Sequence, residues 1–328
     1  MLREETAANP ARTAAALAGL RRYQEAARDA APQPMPPIAT VRHASLRDYG
    51  GEGPPVLFVP SLINPPTVLD LGERSLLRWL AGRGRRVLLL DWGWPDPGRA
   101  GLSVAGHVEE ILLPLAAALG EPVDLVGYCL GGTMAAAAAR PAGARSLVLI
   151  ASPWRFSAFP EEARTRLAGL WQGARPAVEA LGVLPMEALQ SAFWSLDPGR
   201  TVAKFEAFAT MGAEEARMFV ALEDWANDGP PLAGAAAREL FEDFFAADRP
   251  GRGEWRVAGE PVAPSDLTLP TYDIVSTTDR IVPAGTAMGR GDRLALAQGH
   301  VGMIVGSRAR QALWEPLAGW LSRTAAKW

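Results

Sequence analysis

The segment Val123-Asp-Leu-Val-Gly127-Tyr128-Cys129-Leu130-Gly131-Gly132 decides how the rest of the chain is read. Val123–Val126 has the length and apolar character of a buried strand, and the Ala-rich Leu130–Arg140 is a helix former. Between them lies Gly-x-Cys-x-Gly, the pattern of a nucleophile carried on a sharp strand-to-helix turn, with cysteine where serine is commoner. Such a turn is strained, and side chains at Gly127 or Gly131 would collide with the neighbouring strand and helix. It sets the sulfur over a helix N-terminus, whose dipole favours negative charge, and brings the Leu130 N–H to where an oxyanion would develop. A lone cysteine is more often a small buried hydrophobe. Its placement between strand and helix, with no Gly-x-Ser-x-Gly elsewhere, overrides that reading.

Working outward, apolar strands and helices alternate. Val56–Pro60, Arg86–Asp91, Val123–Val126 and Ser146–Ala151 read as strands; Ser75–Gly82, Ala105–Leu119 and Leu130–Arg140 read as helices. This rhythm predicts a mostly parallel sheet with helices on both faces. It stops after Ser152. From about Pro153 to Pro264 the chain reads as helical and rich in Trp, Phe and Ala, with no strand expected. It resumes with strands at Leu269–Ser276 and Leu294–Ala297 and a closing helix over about Ser307–Ser322. The expected division is an N-terminal helical arm (1–40), ending in the proline-rich loop Ala31–Pro37, a first core part (41–152), an inserted helical cap (153–264) and a second core part (265–328). A separate helical domain is the alternative for the middle block.

Bulk properties exclude several classes. The 328 residues are 48% hydrophobic and carry a net charge of −3, with no basic stripe, so no nucleic-acid partner is expected. No apolar run approaches a membrane span, and no signal-peptide core follows Met1, so a cytoplasmic location is expected. One cysteine makes no internal disulfide, and His43, His107 and His300, the only histidines, form no metal-ligand cluster; neither metal nor cofactor is expected.

A triad on such a sheet follows the chain order nucleophile, acid, histidine. Asp279 lies in the loop after the Leu269–Ser276 strand, and His300, in Gly299-His-Val-Gly302, follows the last strand. Both fall just past strand C-terminal ends, where sites on open α/β sheets are built. His43 and His107 precede the nucleophile and are set aside. The expected catalytic set is therefore Cys129, Asp279 and His300 on an α/β-hydrolase fold, with His300 as base and Asp279 orienting it. The second oxyanion N–H is expected from the loop after the first long strand, at Leu62 or Ile63.

Five segments then carry a resemblance: Val59-Pro-Ser-Leu-Ile-Asn-Pro-Pro-Thr-Val-Leu-Asp70-Leu, Leu90-Asp-Trp-Gly-Trp-Pro95, Gly127-Tyr-Cys-Leu-Gly-Gly-Thr133, Asp279-Arg-Ile-Val-Pro283 and Gly299-His-Val-Gly302. Together they resemble polyhydroxyalkanoate synthases of the short, cysteine-nucleophile catalytic-subunit type. Trp225-Ala-Asn-Asp-Gly-Pro-Pro-Leu-Ala-Gly234 in the cap is similar to a further segment of that family. The resemblance implies polymerisation of 3-hydroxyacyl-CoA, with Cys129 holding the growing chain as a thioester and CoA released. It also implies a homodimer, a partner subunit and a polyester granule surface as partners. Transfer between two thioesters is nearly balanced, so the bond stays reactive toward the next hydroxyl. The alternative is a cysteine-dependent hydrolase, an acyl-CoA thioesterase or intracellular depolymerase, using the same triad with water as acceptor. A non-enzymatic granule-coat protein is a third reading, against which the intact Cys, His and Asp set argues. Asp70, Asp91 and Arg280 lie within these motifs but read equally well as fold-stabilising groups.

Overall fold

A computed structural model describes residues 2–29, 33–95 and 100–325 of the chain. Ala31 and Pro32, the start of the expected proline-rich loop, lie outside the described residues. Eight strands form the main sheet: β1 (Pro37–Val41), β2 (Ala44–Asp48), β3 (Pro55–Val59), β4 (Arg86–Asp91), β5 (Asp124–Tyr128), β6 (Ser146–Ile150), β7 (Thr271–Ser276) and β8 (Asp292–Leu296). Their spatial order is β1-β2-β4-β3-β5-β6-β7-β8. The β1–β2 and β2–β4 pairs are antiparallel, and every other pairing is parallel.

Each central strand is apolar on both faces because each face packs against its own core. Leu57, Val59, Leu88, Leu90 and Leu125 enter one buried cluster, whereas Val56, Phe58, Val87, Leu89 and Val126 enter the other. This is the period-2 alternation of a strand buried on both sides. The first two strands escaped sequence reading because β1 is an edge strand with a largely exposed face. They join through Arg42 and His43, at φ 47° and 65°, the positive values that a tight hairpin turn demands.

Besides the N-terminal helix α1 (Pro10–Glu25), helices flank the sheet, among them α2 (Leu76–Ala81) and α3 (Leu130–Ala139). The expected helix Ala105–Leu119 forms, but with a π-helical turn at Val108–Leu112. The closing helix has another at Arg310–Trp314, before α8 (Glu315–Ala325). Both wide turns immediately precede a helical start containing a proline, Pro114 and Pro316. A proline cannot donate to the carbonyl four residues back, so the preceding turn widens rather than strand that acceptor.

Between β6 and β7 the chain adds nothing to the main sheet. Its principal helices are α4 (Glu161–Leu181), α5 (Met186–Leu196), α6 (Pro198–Phe208) and α7 (Ala213–Asn227), followed by a π-helical stretch at Glu239–Ala246. Two pairs of two-residue strands, Val183–Leu184 with Leu232–Ala233 and Arg256–Val257 with Glu260–Pro261, appear where none was expected. The N-terminal helix is bound to this helical block. Arg22 donates to the carbonyls of Phe208 and Met211 at 2.6 and 2.8 Å, and the Tyr23 phenol donates to Asp224 at 2.6 Å. The backbones approach so closely that a methyl at Gly19 would fall 1.8 Å from the Phe205 carbonyl oxygen. No helix among the described residues is long and apolar enough to cross a membrane.

Candidate active site

Cys129 stands at the turn between β5 and α3 with φ 57° and ψ −132°, a conformation that costs a non-glycine residue free energy. Its surroundings over-determine it. The Cys129 N–H donates to the Ile150 carbonyl at 3.0 Å, and its carbonyl accepts from the Gly132 N–H at 2.9 Å. A methyl at Gly127 would lie 2.2 Å from Gly132 Cα, and one at Gly131 would lie 2.1 Å from the Val59 carbonyl oxygen. Neither backbone atom can retreat without breaking the sheet or the helix, so both positions require glycine.

Asp279 follows β7. Its Oδ1 accepts from the Ile281 and Val282 N–H groups at 2.8 and 2.9 Å, and its Oδ2 lies 2.6 Å from Nδ1 of His300. A carboxylate held by two backbone donors can only accept from the imidazole, so Nδ1 carries its hydrogen and Nε2 is directed to chemistry. His300 follows β8. The Tyr128 phenol donates to the His300 carbonyl at 3.2 Å, and the two rings stack with centroids 5.0 Å apart. Nδ1 and the ring plane are thereby fixed from two sides.

The buried His300 imidazole is within hydrogen-bonding reach of the Cys129 side chain. Loss of hydration works to lower its pKa, but the charges on Cys129 and Asp279 and the hydrogen bonds to both overcome it. The result is a rise from the ordinary 6.5 to about 10. Burial, reinforced by the charges of Cys129 and Asp279, likewise pushes the Tyr128 phenol well up, keeping it a neutral donor. Thus the three expected catalytic residues, drawn from three strand ends, meet at one place.

Cys129 and His300 open onto a cavity of about 300 Å³ roofed by the helical block. Of the two expected loop donors, Ile63 lines this cavity, but its N–H donates to Ser61 Oγ at 3.1 Å; Leu62 is buried in the hydrophobic core. A shallower groove of about 510 Å³ between α1 and α6–α7 shares no residue with the cavity.

A feature that sequence reading missed joins this loop to the helical block. Asn64, at φ 64°, donates through Nδ2 to the carbonyls of Ala226 and Asp228, both at 3.2 Å, and Trp225 Nε1 donates to the Pro65 carbonyl at 2.8 Å. The signal was present in part: asparagine tolerates positive φ better than most residues. The partners, however, lie some 160 residues away.

The remaining motif residues do structural work. Asp70 forms a two-pronged ion pair with Arg78 at 2.8 and 2.9 Å, Asp91 pairs with Arg47, and Arg280 pairs with Asp197. His43 sits in the β1–β2 turn, and the buried His107 bonds the Ser103 carbonyl through Nδ1 at 2.7 Å. Most tryptophans of the middle block are core packing. Trp171 stacks on Phe241 and donates to Glu242, and Trp255 donates to Glu239; only Trp194 and Trp225 line the cavity.

Comparison with known proteins agrees with this architecture. The poly(3-hydroxyalkanoate) polymerase subunit PhaC of Synechocystis sp. is 28% identical over 293 residues, spanning 82% of this chain and 77% of that one. The PhaC subunit of Allochromatium vinosum is 28% identical over 290 residues, 82% and 80% of the two chains. An epoxide hydrolase of Bacillus megaterium, of solved structure, superposes with a TM-score of 0.54 at 14% identity over 87% of this chain and 99% of that one, a likeness of fold alone. The family model described as the alpha/beta hydrolase fold matches residues 54–304, and with the sheet order, elbow and strand-end loops all in place the chain belongs to the α/β-hydrolase fold family, its resemblance to polyhydroxyalkanoate synthases borne out by its relatives.

Proposed function

We propose that the chain is an acyltransferase that polymerises 3-hydroxyacyl-CoA into polyhydroxyalkanoate through a thioester on Cys129. The observation that carries the residue assignment is that His300, bonded to Asp279 through Nδ1 and acted on by Cys129, lines a largely apolar cavity together with Cys129. The relatives named as polymerase subunits support the reaction.

The sulfur of Cys129 attacks the thioester carbonyl of the substrate, and His300 holds the proton that the thiol gives up. The carbon–sulfur bond to CoA breaks, His300 returns the proton to the departing sulfur, and the acyl group remains on Cys129. The new thioester no longer carries the sulfur's charge, so one of the influences raising the His300 pKa disappears. The imidazole then becomes a competent base toward the 3-hydroxyl of a second 3-hydroxyacyl-CoA. That oxygen attacks the Cys129 thioester, an ester bond forms, and the thiol recovers its proton from His300. The lengthened chain, now on CoA, re-enters the first step. The Leu130 N–H, at the start of α3, and the Ile63 N–H are the proposed oxyanion donors. Recruiting Ile63 requires the substrate oxygen to displace Ser61 Oγ.

Hydrolysis by the same triad is the competing reading. Incubation with 3-hydroxyacyl-CoA beside the Cys129→Ala variant separates them. Oligomeric esters that require Cys129 are expected; CoA release accompanied only by the free 3-hydroxy acid would make the protein a hydrolase. A homodimer, an activating subunit and attachment to a polymer granule belong to this proposal through the family resemblance, as does a cytoplasmic, granule-associated location. No cofactor is invoked beyond CoA as the carrier of the substrate.

A further inference from the structure

The cavity above Cys129 is unevenly built. Its aromatic wall comes from Phe156, Phe159, Phe241 and Phe245. These rings form a continuous surface: Phe156 packs on Phe159 at 5.8 Å and on Phe245 at 5.1 Å, Phe159 on Phe245 at 5.0 Å, and Phe241 on Phe245 at 6.4 Å between centroids. Two of the four rings stand on the π-helical stretch Glu239–Ala246, whose wider turn sets Leu240, Phe241 and Phe245 together on the cavity side. No polar side chain of this wall could satisfy a polar substituent.

The polar lining residues of the helical block sit on other elements and are held by partners. Gln190 on α5 donates to Asn227 at 2.8 Å, and Lys204 on α6 lies 2.7 Å from both carboxylate oxygens of Glu223. Arg280, also in the lining, pairs with Asp197. A thioester entering this site therefore meets a continuous aromatic wall suited to an apolar acyl side chain, while the polar lining groups of the helical block are engaged with partners of their own.

Size decides which acyl side chain. A dry apolar cavity of roughly 150 Å³ accommodates a benzene ring. The 300 Å³ here gives about twice that space, some of which the thioester and the end of the CoA arm must occupy. The methyl side chain of a 3-hydroxybutyryl group would leave the aromatic wall without a partner, an arrangement that forfeits dispersion and leaves apolar surface uncovered. An alkyl chain of several carbons, or an aryl group, fills it.

Resting on the acyl-CoA reading above, we infer that this site selects medium-chain or aryl-bearing 3-hydroxyacyl thioesters over 3-hydroxybutyryl thioester, with Phe156, Phe159, Phe241 and Phe245 forming the side-chain pocket. Each methylene well seated in an apolar pocket changes specificity by about tenfold or more. Four additional methylenes in 3-hydroxyoctanoyl-CoA should thus raise the specificity constant for Cys129-dependent CoA release at least tenfold over 3-hydroxybutyryl-CoA. Ala163, on α4, also lines the cavity, and Ala163→Phe places a ring in that space. The substitution should move the ratio of the two constants back toward the short thioester by tenfold or more; a ratio is insensitive to any shared loss of active protein.

A wild-type ratio at or below one overturns the inference while leaving the acyltransferase reading intact. Absence of Cys129-dependent CoA release from either thioester removes that reading instead. In that event calorimetric binding of the two thioesters to the Cys129→Ala protein still judges the pocket. At least tenfold tighter binding of 3-hydroxyoctanoyl-CoA supports it, and equal binding contradicts it.

Discussion

The sheet and the helical block meet at the same cavity and contribute in opposite ways. From the sheet come Cys129, Asp279 and His300, each on a strand-end loop and each fixed by hydrogen bonds: Cys129 to the Ile150 and Gly132 backbone, Asp279 to the Ile281 and Val282 N–H groups, and His300 through its carbonyl, which accepts from the Tyr128 phenol. The helical block contributes walls of aromatic side chains packed on one another, with few hydrogen bonds into the catalytic loops. Bond making tolerates little misplacement, so it is assigned to over-determined backbone, strained at Cys129. Selection among apolar side chains needs volume and surface, which packing supplies. The Asn64–Trp225 connection and the Arg280–Asp197 ion pair are exceptions, because there the helical block grips a catalytic loop directly.

The largest expected effect lies on the sheet side. Asp279→Asn removes the carboxylate that fixes the His300 tautomer, and turnover should fall by about 10³ to 10⁴. A loss below tenfold would mean that His300 is oriented by Tyr128 stacking alone.

At the junction, Asn64→Ala deletes both bonds to the helical block and should lower kcat about tenfold with little change in KM. Asn64→Asp, which keeps the shape but cannot donate, should resemble the alanine variant. A change confined to KM would show that the connection shapes binding rather than the oxyanion loop.

A thermal measurement separates the buried charge pair from the packing. The His300 pKa rises from 6.5 to about 10 on folding. The stability it contributes is therefore complete below pH 6.5 and is lost as pH climbs toward 10. Tm should decline across that window, and more shallowly in Cys129→Ala, where the sulfur's charge no longer holds the proton on the imidazole. Parallel profiles for the two proteins would break the assignment of that coupling.

The smallest effect is expected at Ser61. Its hydroxyl occupies the Ile63 N–H, so Ser61→Ala should leave that donor ready for substrate and speed acylation by no more than about fivefold. A large loss of activity would instead give the hydroxyl a part in the reaction.

The two regions also differ in how much their sequences disclose. β5 and β6 begin or end within two residues of the expected runs, because a strand buried on both faces is an apolar block with few alternatives. The triad was legible for a related reason: an elbow of two glycines around a nucleophile has a narrow physical cause, and chain order then selects His300 from three histidines. In the helical block, aromatic residues at helical spacing serve core and cavity alike. Nothing local distinguishes Trp171, which stacks on Phe241, from Trp225, which reaches the Pro65 carbonyl. The π-helical stretch that carries Phe241 and Phe245 has no proline to announce it, and the Asn64 partners are distant in sequence.

The most direct test of the account is rapid-quench intact mass measurement after mixing the protein with 3-hydroxyoctanoyl-CoA, followed by peptide mapping. An acyl adduct on the Cys129 peptide, formed as CoA is released, absent in Cys129→Ala and removed by neutral hydroxylamine as a thioester is, is the predicted result. Stoichiometric CoA release that persists in Cys129→Ala, or an adduct on another residue, would contradict the central claim that Cys129 carries the acyl chain.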